Sequence, residues 1–223
     1  MAAAVAERRS RTVVVLDALR SSDDELGQVL AVLRADGLPE PEAEPVAAGD
    51  RRLLALYREF AGRSAELTIA CGACETVSSF ELDPDALAAP APRVAVVGRG
   101  GGIRGPTYGD LVGLPQDPDE AEQSLLARLV IGDPARPPDA ADFEAVDDSL
   151  SGPVVAECVG CGCRLEAPVD VERLVLELLT RLLARIDVEV HLLANAYGWS
   201  LEAIEALPDE RRARLAELVA EGR

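Results

Sequence analysis

A chain of 223 residues can bury one large core or two smaller ones and does not depend on disulfides to hold them. Its 40 acidic residues outnumber 22 basic ones, a net charge of −18, so nucleic acid and anionic membranes would be repelled unless the basic residues were segregated. They are not: the short clusters Arg8, Arg9 and Arg11, Arg51 and Arg52, and Arg211, Arg212 and Arg214 all have acidic neighbours. Every basic residue is arginine and the single histidine is His191, which removes lysine chemistry and leaves a Ser-His or Cys-His engine one residue to draw on. The apolar run at 13–16 is cut short by Asp17, and no later stretch reaches spanning length without charges. These features predict a soluble cytoplasmic protein, in which C-x-x-C pairs signify metal or redox chemistry rather than disulfides.

In chain order, residues 12–16 read as a short strand, and Ser22-Asp-Asp-Glu25 as a capping box opening a helix with Leu26, Val29, Leu30 and Leu33 on one face, stopped by Gly37 and Pro39. Residues 38–49 form a Pro/Glu/Ala linker too polar to pack. Asp50 caps a second helix, with Leu53, Leu54, Tyr57 and Phe60 facing inward and Gly62 ending it. Alternation then predicts strands at 67–70 and 76–82 around the corner Cys71-Gly-Ala-Cys74. The same order recurs at 153–157 and 164–167 around Cys158-Val-Gly-Cys161.

Between the two, 93–97 is a strand that runs into a glycine-rich stretch, 98–105. Gly100, Gly102 and Gly105 spell G-x-G-x-x-G, but Pro106 follows at once and no helix opens there, so a hairpin turn is expected in place of a dinucleotide site. Thr107 to Asp110 is a capping box, and Asp117-Pro118-x-Glu120 starts a helix carrying Leu125, Leu126, Leu129 and Val130, helical through Ile131 and closed by Gly132 and Pro134. A weaker acidic helix covers 139–150. From Asp170 a long helix places Val171, Leu174, Val175, Leu178, Leu182, Ile186, Val190 and Leu193 at steps of three and four, and Leu179 and Leu183 widen the stripe. Gly198 stops it, Ser200 caps a short helix to Leu207, and Pro208 begins the last.

The predicted architecture is α+β: a split zinc-ribbon-like β core formed by two C-x-x-C hairpins, with inserted helices and a long C-terminal helix. Its expected parts are an N-terminal helical arm with its linker (1–62), the β core (63–168) with a helical insertion (106–152), and a C-terminal helical region (169–223). Cys71, Cys74, Cys158 and Cys161 supply the four thiolates that a structural Zn2+ site takes. The alternative is a reduced, buried thiol cluster, since thiols pack as small apolar groups. Cys163 is spare, able to exchange with Cys161 as a ligand. A closed four-thiolate site staples and does not catalyse. His191 lies one helical turn from Asp187 and from Asn195, a polar row that suits a hydrogen-bonded structural histidine or a ligand. Tyr197 and Trp199 are either core anchors or a partner-binding corner.

The order Arg52-Leu-Leu-x-Leu-Tyr57, Cys71-x-x-Cys74, Arg104-x-Pro-Thr-x-x-Asp110-Leu, Cys158-x-x-Cys161, then His191-x-Leu-Ala194-x-x-Tyr197-Gly-Trp-Ser200-x-x-x-Ile204-x-x-Leu207-Pro and Arg211-Arg212 resembles the T-even phage family of baseplate hub assembly chaperones. Relatives of that family occur in the gene clusters of phage-derived contractile injection systems. The resemblance covers roughly residues 50–219, and its most specific part is the closing motif from His191 to Arg212. It departs from the family at the first cysteine corner, which lacks the usual proline, and at Asp209-Glu210, which dilutes the basic run. The resemblance implies a non-enzymatic assembly factor or structural component of a contractile-tail baseplate, acting in the cytoplasm or retained in the particle. Its partners would be baseplate or hub proteins, met through His191, Tyr197, Trp199 and Ile204, with no nucleic acid, membrane or small-molecule substrate. The other reading of the residues is a zinc-ribbon adaptor in transcription or regulation.

Overall fold

The computed structural model describes residues 11–61, 65–82, 95–98, 101–133, 139–147 and 149–222 as a mixture of helices and small antiparallel sheets. Gly62, Arg93, Gly100 and Pro134, which the sequence reading used as punctuation, lie outside the described residues. The chain divides into two compact units, one made of Met1–Gly37 with Leu176–Arg223, the other of Leu38–Val175. These boundaries differ from the expected arm, core and C-terminal region. The first helices belong with the chain's last quarter, and the supposed linker belongs to the second unit.

In the first unit, α1 (Arg11–Ala18) replaces the strand expected at 12–16. Val13 and Leu16, and Val15 and Leu19, are buried pairs at steps of three and four, a period that the five-residue window 12–16, with its three consecutive valines, conceals. Helix α2 (Glu25–Ala35) is capped by Asp24, not Ser22: the Gly27 N–H donates to Asp24 Oδ1 (2.8 Å), and the Ser22 hydroxyl only steadies that carboxylate (2.8 Å).

The second unit begins where a loose linker was predicted, and the chain instead packs. Pro41 is buried, Val46 N–H donates to Pro106 O (3.0 Å), Tyr108 N–H donates to Glu44 O (3.2 Å), and Pro45 bridges Thr107. Prolines are tolerated here because they bring no N–H of their own to satisfy, while neighbouring donors find partners in 106–108. Helix α3 (Val46–Ala61) therefore starts four residues before the predicted cap. Gly49 lies so close to Tyr108 that a Cβ would come within 2.2 Å of its ring.

Asp50 becomes an interior residue, accepting from the Leu150 N–H (2.9 Å) and the Tyr108 hydroxyl (3.3 Å). Burial pushes its carboxyl up to about 6, against the lowering effect of those two hydrogen bonds and with Asp170 and Asp147 adding to the rise. Between the ordinary 3.8 and about 6 the folded chain keeps a proton that the unfolded chain has lost. The stabilising contribution is complete below the ordinary value and is lost as pH rises through 6, a total of about 3 kcal/mol. Denaturant titrations from pH 4 to 7 should show that decline in the wild type and a flatter profile in Asp50→Asn. Identical profiles would reject the assignment.

Strands β1 (Ala65–Ala70) and β2 (Val77–Leu82) form one antiparallel hairpin; β3 (Ala95–Gly98) and β4 (Gly101–Arg104) begin a three-stranded sheet. After α4 (Tyr108–Leu111) and α5 (Pro118–Leu129), the chain does not stay helical through Ile131. Val130 and Ile131, both β-branched, enter β5 (Val130–Gly132) and pair with β4, over a core of Ile103, Leu129 and Val146. Helix α6 (Ala140–Val146) is shorter than expected, with Asp139 and Asp142 forming a reciprocal capping box. Strands β6 (Gly152–Glu157) and β7 (Arg164–Val169) make the last hairpin. The chain then passes into α7 (Val171–Tyr197), α8 (Leu201–Glu205) and α9 (Asp209–Ala220).

Candidate metal centre

Two corners of the second unit share one local fold. In the first, Cys71 N–H donates to Thr76 O and Glu75 N–H to Cys71 O, both 2.9 Å. In the second, Cys158 N–H donates to Cys163 O and Gly162 N–H to Cys158 O, again 2.9 Å. Each corner aims an N–H at its first sulfur, Ala73 at Cys71 (3.4 Å) and Gly160 at Cys158 (3.4 Å). Each also ends on a left-handed residue, Gly162 at φ 71° and Glu75 at φ 60°.

Glycine adopts that conformation freely and glutamate does not. Glu75→Gly is expected to stabilise the chain by about 1 kcal/mol, the strain relieved less the extra freedom gained by the unfolded chain. A lowered denaturation midpoint for this variant would contradict it.

The corners meet. The sulfurs of Cys71, Cys74, Cys158 and Cys161 all lie within 4.8 Å of one another, with Cys71 to Cys161 at 3.8 Å and Cys74 to Cys158 at 3.6 Å. An ion bound tetrahedrally at about 2.3 Å from each sulfur sets the sulfur–sulfur edges near ~3.8 Å. None of the cysteines is in a disulfide. The Ala73 N–H, followed by the Cys163 thiol, holds Cys71 down to about 6 from an ordinary 9.0, and the N–H groups of Cys161 and Gly160 lower Cys158. Both buried sulfurs are thus biased toward the thiolate, the form that ligates. The donor set and spacing fit a soft, four-coordinate ion.

What surrounds the sulfurs is small. Cys71, Cys158 and Leu165 are buried, with Ile69, Phe80 and Cys163 packed around them. Val77, Val155 and Val159 on the same hairpins are exposed. Neither hairpin has more than two strands, and a lone two-stranded hairpin is marginal in water.

The residues expected to meet a partner divide. Tyr197 and Trp199 are 43% and 40% exposed and stack on each other, ring centroids 4.8 Å apart at 26°, so they are not core anchors. Gly198 at φ 64° makes the corner between them. His191 is exposed, its Nε2 3.0 Å from the Asn195 amide nitrogen, while Asp187 pairs with Arg20 at 2.9 Å. Ile204 is a correction: it is fully buried against Leu193 and Ala216 and presents nothing to a neighbour.

No family model, curated protein or solved structure matches this chain. The capping box expected at Thr107–Asp110 is present, but two ion pairs escaped the sequence reading. Arg104 grips Asp110 with both arms (2.6 and 2.8 Å), holding that carboxyl down to about 2 while Asp110 also accepts from the Thr107 N–H and hydroxyl. Glu189 and Arg212 form a buried ion pair at 2.9 Å. Its signal was an acid set into the apolar stripe of α7, between Ile186 and Leu193. Among the described residues no helix is long and apolar enough to cross a membrane.

Proposed function

We propose that this chain is a non-enzymatic assembly factor or structural component of the baseplate of a contractile tail or injection system, held together by one Zn2+ in a split, ribbon-like pair of cysteine hairpins. The observation that carries the reading is the division of labour within the closing motif. Leu193, Ile204 and Arg212 are buried, whereas Tyr197 and Trp199 form an exposed stacked pair. Exposed aromatic pairs of this kind are what interface hot spots are made of. Zinc is the ion that the four-thiolate donor set suits best in a site with no open position. The Arg104–Asp110 grip and the burial of Leu53, Leu54, Leu56 and Tyr57 give structural reasons for two more segments of the resemblance.

Two measurements test this. Deleting the gene in the producer and imaging its particles should leave tails without complete baseplates; normal numbers of contractile tails would refute the reading. Trp199→Ala is expected to weaken capture of a baseplate subunit roughly thirtyfold, about 2 kcal/mol, while leaving thermal stability nearly unchanged. Unaltered capture would remove the aromatic corner from the interface. Recovery of RNA polymerase subunits in place of baseplate proteins would favour the regulatory adaptor.

A further inference from the structure

The two corners share their backbone hydrogen bonds and their cysteine pair, but they differ in what stands beside the sulfurs. Five residues after its first cysteine, the first corner carries Thr76 and the second carries Cys163. Thr76 Oγ1 accepts a hydrogen bond from the Cys74 thiol of its own corner (3.3 Å). The Cys163 sulfur instead reaches across to the other corner and lies 3.2 Å from Cys71 Sγ, closer than any pair among the four sulfurs whose separation is given above. Cys163 is half-buried and packs on the same small core as Cys71 and Cys158, whereas Cys161 is exposed. Five thiols therefore converge where a tetrahedral ion takes four.

We infer that Cys163 is a reserve ligand of the centre, an inference that rests on the metal reading above. When the exposed Cys161 leaves the ion, its thiolate takes up a proton from water. The Cys163 thiol gives its proton to water, and its sulfur closes the four-thiolate shell in the vacated position. No oxidation state changes. The first corner has no such reserve, because a hydroxyl stands where the spare thiol would be. The centre is thus tolerant on one side and intolerant on the other.

Cobalt(II) titration of the reduced full chain tests this, since the thiolate-to-cobalt absorption grows with the number of sulfurs bound and competition with a chelator gives affinity. Wild type, Cys163→Ser and Cys161→Ser are expected to bind one ion through four sulfurs, Cys161→Ser within about tenfold of the wild type. Cys74→Ser and the double variant Cys161→Ser/Cys163→Ser should drop to three sulfurs and lose at least the roughly hundredfold that even outer-shell losses reach. If Cys161→Ser falls with Cys74→Ser, the reserve role is overturned and the centre stands. If the wild type takes up no cobalt, both are overturned. A measurement without variants guards against misfolding: in the metal-loaded wild type, chains alkylated by iodoacetamide at Cys161 alone should keep the ion, because Cys163 takes the vacated position. Release of the ion on alkylation of Cys161 would overturn the inference.

Discussion

Stripping the metal from the reduced chain with a chelator is expected to release both cysteine hairpins while the helices of the other unit stay folded. The hairpins have little else to hold them. Leu165 is the one buried aliphatic side chain in the cluster around the sulfurs, and fixing a residue's backbone costs about 1–2 kcal/mol. Apparent binding free energies of structural zinc in finger peptides run at about 10 kcal/mol or more at neutral pH, enough to decide whether such a core forms. Hydrogen exchange should therefore lose protection in residues 65–82 and 152–169 on chelation and regain it when zinc is restored. Protection in α8 and α9, which rests on Leu193, Ile204 and Ala216, should not move. Unchanged protection of the hairpins in metal-free protein would mean that the thiols pack without an ion, as a small apolar cluster.

The second large effect is expected at Glu189 and Arg212. Arg212 is 1% exposed, its Nε bonded to Glu189, with Asp209 3.0 Å from Nη1; Glu189 is also approached by Arg185 at 3.4 Å. Removing one partner leaves the other charge buried with a weaker, more exposed companion. Glu189→Ala or Arg212→Ala should each cost about 3–5 kcal/mol. Replacing both with apolar residues of similar volume, Glu189→Leu with Arg212→Met, should recover most of that loss, because the desolvation of two charges disappears together with their attraction. Denaturant unfolding of the two single variants and the double closes the cycle. Single variants within about 1 kcal/mol of the wild type would show that the pair is solvated in practice.

The cysteine centre was legible because its signal is chemical. Two C-x-x-C corners flanked by alternating residues can be read without knowing what lies between them, and the structure brings all four sulfurs together. Long periodic helices were legible for a similar reason: α7 needs many residues to establish its period, and its stop at Gly198 needs only one. What failed was short or depended on distant partners. The apolar residues at 13–16 fit either period until Leu19 is added. Residues 38–49 look unable to pack until 106–108 supply the hydrogen-bond partners. Asp50 reads as a cap in any local window, and only Tyr108 and Leu150, far along the chain, make it an interior acid. Ile204 was misassigned because a surface motif and a core motif share one stretch of sequence, and spacing alone does not say which residue turns inward.

The first unit is assembled from two segments distant in sequence, and the second, though continuous, brings together cysteine pairs that are far apart along the chain. Eighty-three residues separate Cys74 from Cys158, and the first unit joins Met1–Gly37 to Leu176–Arg223. During synthesis at roughly 5–20 residues per second, the first thiol pair waits several seconds or longer for its counterpart, and α1 and α2 wait longer still. The second unit cannot mature before residues 158–161 are made, nor the first before those from Leu176 onward. Until then the nascent chain carries naked sulfurs and greasy helical faces, open to oxidants, to stray ions and to proteases. A chain cut before Cys158 leaves neither unit whole.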